Sequence, residues 1–472
     1  MKIEELPQDR LATTDESGHR VYLYPADVEG KYHKRRLLVH AILVAVFLLL
    51  PWIQINGYQS ILLDITHRRF VIFGLAFWAH DAPLLVFVFG GVLIGISLLT
   101  AIKGRLWCGW GCPETVFVEF VYRKIERLIE GNSVQRRRLA EAPLSFNKLR
   151  LKATKWFAFL IVTLIITHSF LAYFIGTEEL GHWMTRSPAE HPTAFTVMAF
   201  TTVVLLFSFG WFREQFCIIM CPYGRFQSVL MDENSLAVIY DEKRGEPRRG
   251  ADVPKEEQGD CISCNRCVQV CPTGVDIRRG VQLECVACTA CIDACDEVML
   301  RQHKDPGLIS YTTLNELDGK PARHIRTRVI LLSVALLGIL SGLTWVLVSR
   351  DPVKTTIFNA KNVPFTVLDP NQPDPNVANQ FFLVSSNYTF EDADIEMVVT
   401  DPAIKDKVKI IVPTGKLAVK AGQEIKNPFL IEFHKSLLKQ GRLRLPVELR
   451  KKASNGKWER VVTQEVPLAG PY

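Results

Sequence analysis

The chain has 472 residues, 48% of them hydrophobic and 22% charged, with 12 cysteines and a formal net charge of +7. This balance excludes a disordered chain, a collagen-like fibre and a polar secreted scaffold, and the length allows two to four domains. A mean hydropathy slightly above zero is high for a soluble protein and low for a transporter packed with helices, so membrane and water-exposed parts are expected together.

Residues 1–36 read as a polar N-terminal segment. Residues 37–55 then contain no Asp, Glu, Lys or Arg, and neither do 83–102, 156–176, 193–212 and 329–349. Each run is about the 20 residues that a helix needs to cross a hydrocarbon core. The first follows 36 polar residues and lacks a small-residue cleavage pattern, so it reads as an anchor and not as a secretory signal. Within residues 57–82, the stretch 70–79 is apolar but too short to span, and it is expected to be an interfacial or re-entrant piece.

Lys and Arg in the connections set the orientation. Lys31, Lys34, Arg35 and Arg36 precede the first run, and residues 123–155 carry ten Lys or Arg against three acids. Residues 177–192 carry only Arg186 against Glu178, Glu179 and Glu190. The N-terminus is therefore expected in the cytoplasm, with residues 213–328 on the same side and everything after Arg350 on the far side, the periplasm in a bacterium.

All twelve cysteines fall on the expected cytoplasmic side, where metal or redox chemistry is favoured over structural disulfides. Leu106-Trp107-Cys108-Gly-Trp-Gly-Cys112-Pro113 follows the second run, and Gln215-Phe216-Cys217-Ile-Ile-Met-Cys221-Pro222 follows the fourth. Both are C-x-x-x-C-P with an aromatic residue before the first cysteine, and both precede a predicted helix with proline at its first position. The period is 109 residues: helical hairpin, cysteine motif, amphipathic helix. Two such units related by an axis along the membrane normal would gather four thiols at one membrane edge. Thiolates prefer Cu(I), zinc or iron–sulfur. A helix start just after Cys112 and Cys221 is expected to lower their pKa. His40 and His168 lie at different depths in their runs and read as satisfied membrane histidines.

The other eight cysteines form two runs of one spacing, Cys261-x-x-Cys264-x-x-Cys267-x-x-x-Cys271-Pro272 and Cys285-x-x-Cys288-x-x-Cys291-x-x-x-Cys295. Three thiolates two residues apart wrap one cubane cluster, and the fourth reaches the other cluster. This predicts one 4Fe–4S cluster on Cys261, Cys264, Cys267 and Cys295, and a second on Cys285, Cys288, Cys291 and Cys271. Zinc also suits paired C-x-x-C, but it needs no third cysteine at the next step. Residues 255–300 resemble a bacterial two-cluster ferredoxin, with Asp296 in place of the usual proline after the last cysteine.

Beyond the fifth run, Leu443, Leu445, Val447 and Leu449 alternate with Arg442, Arg444, Glu448 and Arg450, the period of a half-buried strand. Asn455-Gly456 marks a tight hairpin before the strand at 458–466. Further strands are predicted at 380–384, 395–400, 408–412, 417–420 and 424–433, a set that fits an antiparallel sandwich of immunoglobulin type. The predicted fold class is thus mixed. It comprises a cytoplasmic N-terminal segment (1–36), a four-span membrane domain with the two C-x-x-x-C-P motifs (37–222) and a cytoplasmic ferredoxin-like domain with two 4Fe–4S clusters (223–328). A fifth transmembrane helix (329–349) and a periplasmic immunoglobulin-like β-sandwich (350–472) complete it.

With these parts in place, the whole chain resembles the CcoG family, also called FixG or RdxA, the accessory proteins of the cbb-type cytochrome c oxidase. The phrase Cys291-Ile-Asp-Ala-Cys295-Asp-Glu-Val-Met, including Asp296, is similar to that family's version of the second cluster motif. The resemblance implies an oxidoreductase of the bacterial inner membrane, a cupric reductase that converts Cu(II) to Cu(I) for the oxidase copper site. Copper would be held by some or all of Cys108, Cys112, Cys217 and Cys221. Implied partners are copper ions, a cytoplasmic electron donor, and a copper carrier or oxidase assembly factors; no nucleic acid is expected, and homodimerisation is left open. Two rival readings share the same features: a quinol-linked iron–sulfur conduit serving another periplasmic reductase, and a non-redox copper assembly scaffold.

Overall fold

The computed structural model describes residues 13, 14, 17, 19–55, 57–66, 69–78, 82–250, 253–323, 325–349, 353–360, 364–368, 374–389, 392–413, 415, 417–420, 423–452 and 457–471. It divides into two compact units, Met1–Ile53 with Ala82–Leu343, and Gln54–Asp81 with Thr344–Tyr472.

In the first unit, helices long and apolar enough to cross a membrane occupy Lys31–Trp52, Leu84–Lys103, Phe146–Ile175 and Pro192–Phe212; a fifth, Thr327–Val348, runs from this unit into the second. They coincide with the five uncharged runs. The third begins earlier than its run because Ser145 caps it, accepting the Lys148 N–H at 3.2 Å. Its first turns also keep their lysines paired, with Lys152 2.8 Å and Lys155 3.1 Å from Glu130. At 30 residues it is about 45 Å long, well beyond a hydrocarbon core of about 30 Å.

The segment after the first cysteine motif runs as α-helix Pro113–Phe117, a wide π turn Val118–Tyr122 and α-helix Arg123–Glu130. Tyr122 locks it against the third and fourth spans. Its ring lies 4.8 Å from Phe159 and 5.6 Å from Phe209, and its hydroxyl is 2.6 Å from Thr163 Oγ1. Two more π turns follow, Leu206–Phe212 just before the second motif and Phe216–Met220 within it, and such turns often mark functional sites. The ferredoxin segment is bracketed by an antiparallel strand pair, Ala237–Tyr240 with Ile309–Thr312.

In the second unit, residues 61–78 are a three-stranded antiparallel sheet, Ile61–Asp64, Arg69–Ile72 and Leu75–Trp78. The apolar stretch expected at 70–79 as an interfacial or re-entrant piece falls in the last two of these strands as far as residue 78. Phe73 (φ 47°) and Gly74 (φ 83°) both take left-handed conformations, the two-residue turn that matches strand twist and closes a tight hairpin.

The C-terminal strands form two antiparallel sheets. One runs in the order Val408–Ile411, Glu424–His434, Asn376–Asn387, Val353–Asn359, with Thr366–Val367 also on Asn376–Asn387. The other runs Leu417–Val419, Ala393–Val399, Arg442–Lys452, Trp458–Ala469. Their inner faces share one core, including Leu383, Phe429, Ile431, Leu445, Val447 and Leu449. The alternation at 442–450 is visible as burial of Leu445, Val447 and Leu449. The predicted Asn455-Gly456 turn lies outside the described residues.

Candidate functional site

The ferredoxin segment is an internal repeat of 24 residues, since Cys261, Cys264, Cys267 and Cys271 correspond to Cys285, Cys288, Cys291 and Cys295. The backbone repeats with them. Ser263 and Asn265 are left-handed around Cys264, and Ala287 and Thr289 are left-handed around Cys288 (φ 53–62°). This alternation curls the chain so that successive N–H groups face one point, a cradle suited to an anionic group. Helices Arg266–Gln269 and Ala290–Arg301 then carry the third cysteines.

The structure brings the eight thiols to two cavities. One is lined by Cys261, Cys264, Cys267 and Cys295 with Tyr240, Met299 and Ile309. The other is lined by Cys271, Cys285, Cys288 and Cys291 with Val275, Ile277 and Val286, and Cys267 also reaches its wall. Cys264 is exposed, whereas Cys288 is buried. Burial pushes the Cys267, Cys285 and Cys295 thiols up to about 12 and Cys271 up to about 11. Sulfur donors in apolar walls therefore become thiolates only when a cationic group compensates them, as an iron cluster does. Among the described residues no three Cys, His, Asp or Glu side chains converge on a single ion. Ligands of a cubane need not converge so tightly, because each of its irons takes its own thiolate. The residues fit the clusters.

The two C-x-x-x-C-P segments, 109 residues apart, share their geometry. Gly104 (φ 58°) ends the second span and Arg213 (φ 50°) ends the fourth, both left-handed at equivalent positions. The Cys112 N–H donates to Trp107 O and the Cys221 N–H to Phe216 O, each at 2.8 Å. Pro113 and Pro222 open the following helices. Contacts between the repeats are exchanged crosswise: Glu114 accepts from Ser208 Oγ at 3.1 Å, and Tyr223 Oη lies 2.7 Å from Thr100 Oγ1. Glu114 and Tyr223 each lie two residues past the second cysteine of their own motif.

Cys108, Cys112, Cys217 and Cys221 are half-buried in this arrangement. Cys108 Sγ donates to Gln227 Oε1 at 3.2 Å, and burial, reinforced by the nearby Cys112, pushes its thiol up to about 11. Burial raises Cys217 further, with Cys112 and Glu114 adding to it. The expected lowering at the helix start fails for Cys112. The Thr115 and Glu114 backbone amides do favour its thiolate, but burial outweighs them.

Several side chains that sequence reasoning did not single out fasten this site to the ferredoxin segment. Asp293, between Cys291 and Cys295, accepts the backbone N–H groups of Tyr32 at 3.2 Å and His33 at 2.7 Å. Arg36 donates to Cys288 O at 2.8 Å and pairs with Glu119 at 3.2 Å. Arg105 donates to Gly224 O at 2.6 Å and Cys285 O at 3.3 Å. Within the membrane part itself, Arg213 at the end of the fourth span grips buried Glu126 at 2.7 and 3.0 Å. Their only signal in the sequence is charge beside a cysteine motif or span end. His168 is satisfied, its Nδ1 2.7 Å from Leu164 O, but His40 is not, because its buried Nε2 has no partner.

The family model described as a 4Fe-4S dicluster domain matches residues 212–314, and one described as a 4Fe-4S binding domain matches residues 82–131. The chain is 34% identical to protein RdxB of Cereibacter sphaeroides, over 81% of this chain and 82% of that protein. It is 33% identical to protein RdxA of the same organism, over 84% and 87%, and 32% identical to nitrogen fixation protein FixG of Rhizobium meliloti, over 80% and 79%.

Proposed function

We propose, on the premise that this chain belongs to the FixG/RdxA family, also called CcoG, that it is a cupric reductase supplying Cu(I) for the copper site of a cbb-type cytochrome c oxidase. At the coarser level it is a membrane iron–sulfur redox protein with ferredoxin-type 4Fe–4S domains.

One observation carries the copper step. Cys108 and Cys217, one from each C-x-x-x-C-P motif, pack against the apolar cluster that contains Val286 and Cys288 of the second cysteine set, and Cys217 and Cys288 line one pocket. Clusters held by the two cysteine sets supply electrons one at a time. Copper as substrate is held by some of Cys108, Cys112, Cys217 and Cys221, no three of which converge on one point, and their soft sulfur favours the cuprous product. Arg36 and Arg105 hold the Cys285–Cys288 loop against the motif, and Ala26, Val28, Val270 and Val286 keep the surroundings apolar. The positive-inside pattern supports a cytoplasmic ferredoxin segment that receives electrons from a one-electron donor. It also supports a periplasmic place for the C-terminal sandwich, which we read as an immunoglobulin-type docking module.

The test is to replace all four membrane-edge cysteines with serine and measure Cu(II) reduction and copper content in detergent. Unchanged values with both cluster signals intact in electron paramagnetic resonance (EPR) would reject the assignment.

A second reading is favoured by the 4Fe-4S binding model over residues 82–131, which contain Cys108 and Cys112. On that reading these thiols belong to an iron–sulfur conduit linked to quinol, and copper is incidental. Quinol oxidation without added copper, and iron content above the roughly eight atoms of two cubanes, would favour it.

A further inference from the structure

We propose that Gly109 is the electron-transfer junction of this protein, the point where the first C-x-x-x-C-P loop lies backbone to backbone on the Cys285–Cys288 loop. This rests on the copper reading of the four thiols. Gly109 is buried and adjoins Cys108. A Cβ built on it would stand 2.6 Å from both Val286 O and Ala287 O, closer than carbon and oxygen can approach. Val286 and Ala287 are the two residues between Cys285 and Cys288.

Conformation does not require this glycine, since its φ lies outside the left-handed region. Close approach does. Gly111 in the same loop has a different neighbour, its built Cβ meeting the Trp107 ring at 2.8 Å. The equivalent position of the second repeat is Ile218, so the bare-backbone face belongs to the first repeat alone.

The contact is clamped from both sides. Arg36, on the first span, donates to Cys288 O at 2.8 Å. Arg105 holds Cys285 O and Leu283 O from the other side. A path through Gly109 therefore joins a residue of the second cysteine set to Cys108 with one short through-space step, and tunnelling weakens exponentially with such distance. One electron crosses per event. The group bound by the second cysteine set is oxidised by one electron, Cu(II) at the thiols becomes Cu(I), and no proton or covalent bond is exchanged. The electron comes from a one-electron donor, dithionite in the test.

The experiment uses the full-length holoprotein in detergent with Gly109→Ala, Gly109→Val and, as control on the second span where a Cβ meets nothing within 4 Å, Gly95→Ala. Dithionite-reduced protein is mixed with Cu(II), and recovery of the iron–sulfur absorbance is followed in stopped flow. Cluster midpoint potentials are measured by EPR-monitored titration, and amide hydrogen exchange over residues 284–289 by mass spectrometry. Gly109→Ala is expected to slow recovery about tenfold or more, the scale of a displacement near 1 Å. It should raise exchange in the Cys285–Cys288 loop and leave the potentials in place, whereas Gly95→Ala keeps the wild-type rate. Gly109→Val should be slower still, and Gly109→Ala carries the test by itself if the valine variant does not fold. A wild-type rate in Gly109→Ala, or equal slowing in Gly95→Ala, overturns the junction. Wild-type recovery in the four-cysteine variant would instead reject the copper reading, so the two failures are separable.

Discussion

The Asp293 carboxylate accepts the His33 backbone N–H at 2.7 Å, so a residue set between two cluster cysteines caps the first membrane helix from outside that helix. Tyr32 and His33 are the second and third residues of Lys31–Leu49, whose own N-cap, Gly30, has no side chain. The orphan amides of the helix start and the positive end of its dipole are satisfied together. Gly30 is bare because a Cβ there would occupy the space of the Asp293 carboxylate.

Asp293→Ala should therefore lower stability by about 0.5–2 kcal/mol, the range for a lost N-cap. Asp293→Asn should lose less, keeping an acceptor but not the charge. Thermal unfolding in detergent, followed through loss of iron–sulfur absorbance, reads both. Gly30→Ala should reproduce the alanine effect from the other side of the contact, and an unchanged midpoint in both variants would show that the cap contributes nothing.

Glu126 is held by Arg213, Arg136 at 3.2 Å and Lys155 at 3.4 Å. Burial alone would raise its carboxyl, but these cations, Arg213 foremost, bring it from 4.5 down to about 2. An acid whose folded pKa is depressed stabilises the fold above its unfolded value, and that contribution disappears as pH falls through the window from 4.5 to about 2. Glu126→Ala should cost about 3–5 kcal/mol at neutral pH by leaving buried cations unpaired. It should also flatten the acid limb of the melting profile. The left-handed Arg213 backbone persists because this grip, and a bond from Arg213 Nε to Gly210 O at 3.1 Å, hold it in place.

Much of this molecule was readable before any coordinates. The five spans follow from uncharged runs, and the thiol groupings follow from spacing, because both are local properties of the chain. The Asp293 cap, the Arg36 bond to Cys288 O and the close approach at Gly109 join residues more than a hundred positions apart, and no periodicity announces them. The sheet at 61–78 is less legible for a different reason. Its apolar run matched a membrane piece in composition, and the Phe73-Gly74 turn that splits it into strands carries only a weak signature. His40 looked like any other membrane histidine until its Nε2 proved to lack a partner.

Arg105 is the only side chain described here that bonds both the Cys285 carbonyl and the helix after the second C-x-x-x-C-P motif. Arg105→Gln cannot reproduce a guanidinium fork, and the carbonyls it served stay buried. The second cysteine set should loosen while the first is untouched. Iron per chain should fall toward half, with the EPR signal of one cluster retained. Equal loss of both signals would place the role of Arg105 in folding of the whole segment.

Phe429, fully buried in the C-terminal unit, stacks on Phe381 at 5.6 Å between centroids. Its strand Glu424–His434 is central, paired with Val408–Ile411 on one side and Asn376–Asn387 on the other. Phe429→Ala should cost about 3–5 kcal/mol, the lost transfer energy plus a cavity that central strands cannot collapse to fill. The cysteine sites belong to the other compact unit, so the loss should appear in calorimetry as an earlier transition of the C-terminal unit alone. Cluster EPR signals and Cu(II) reduction in detergent should stay at wild-type values. If they fall with it, the sandwich takes part in holding the redox site, and a role confined to docking is wrong.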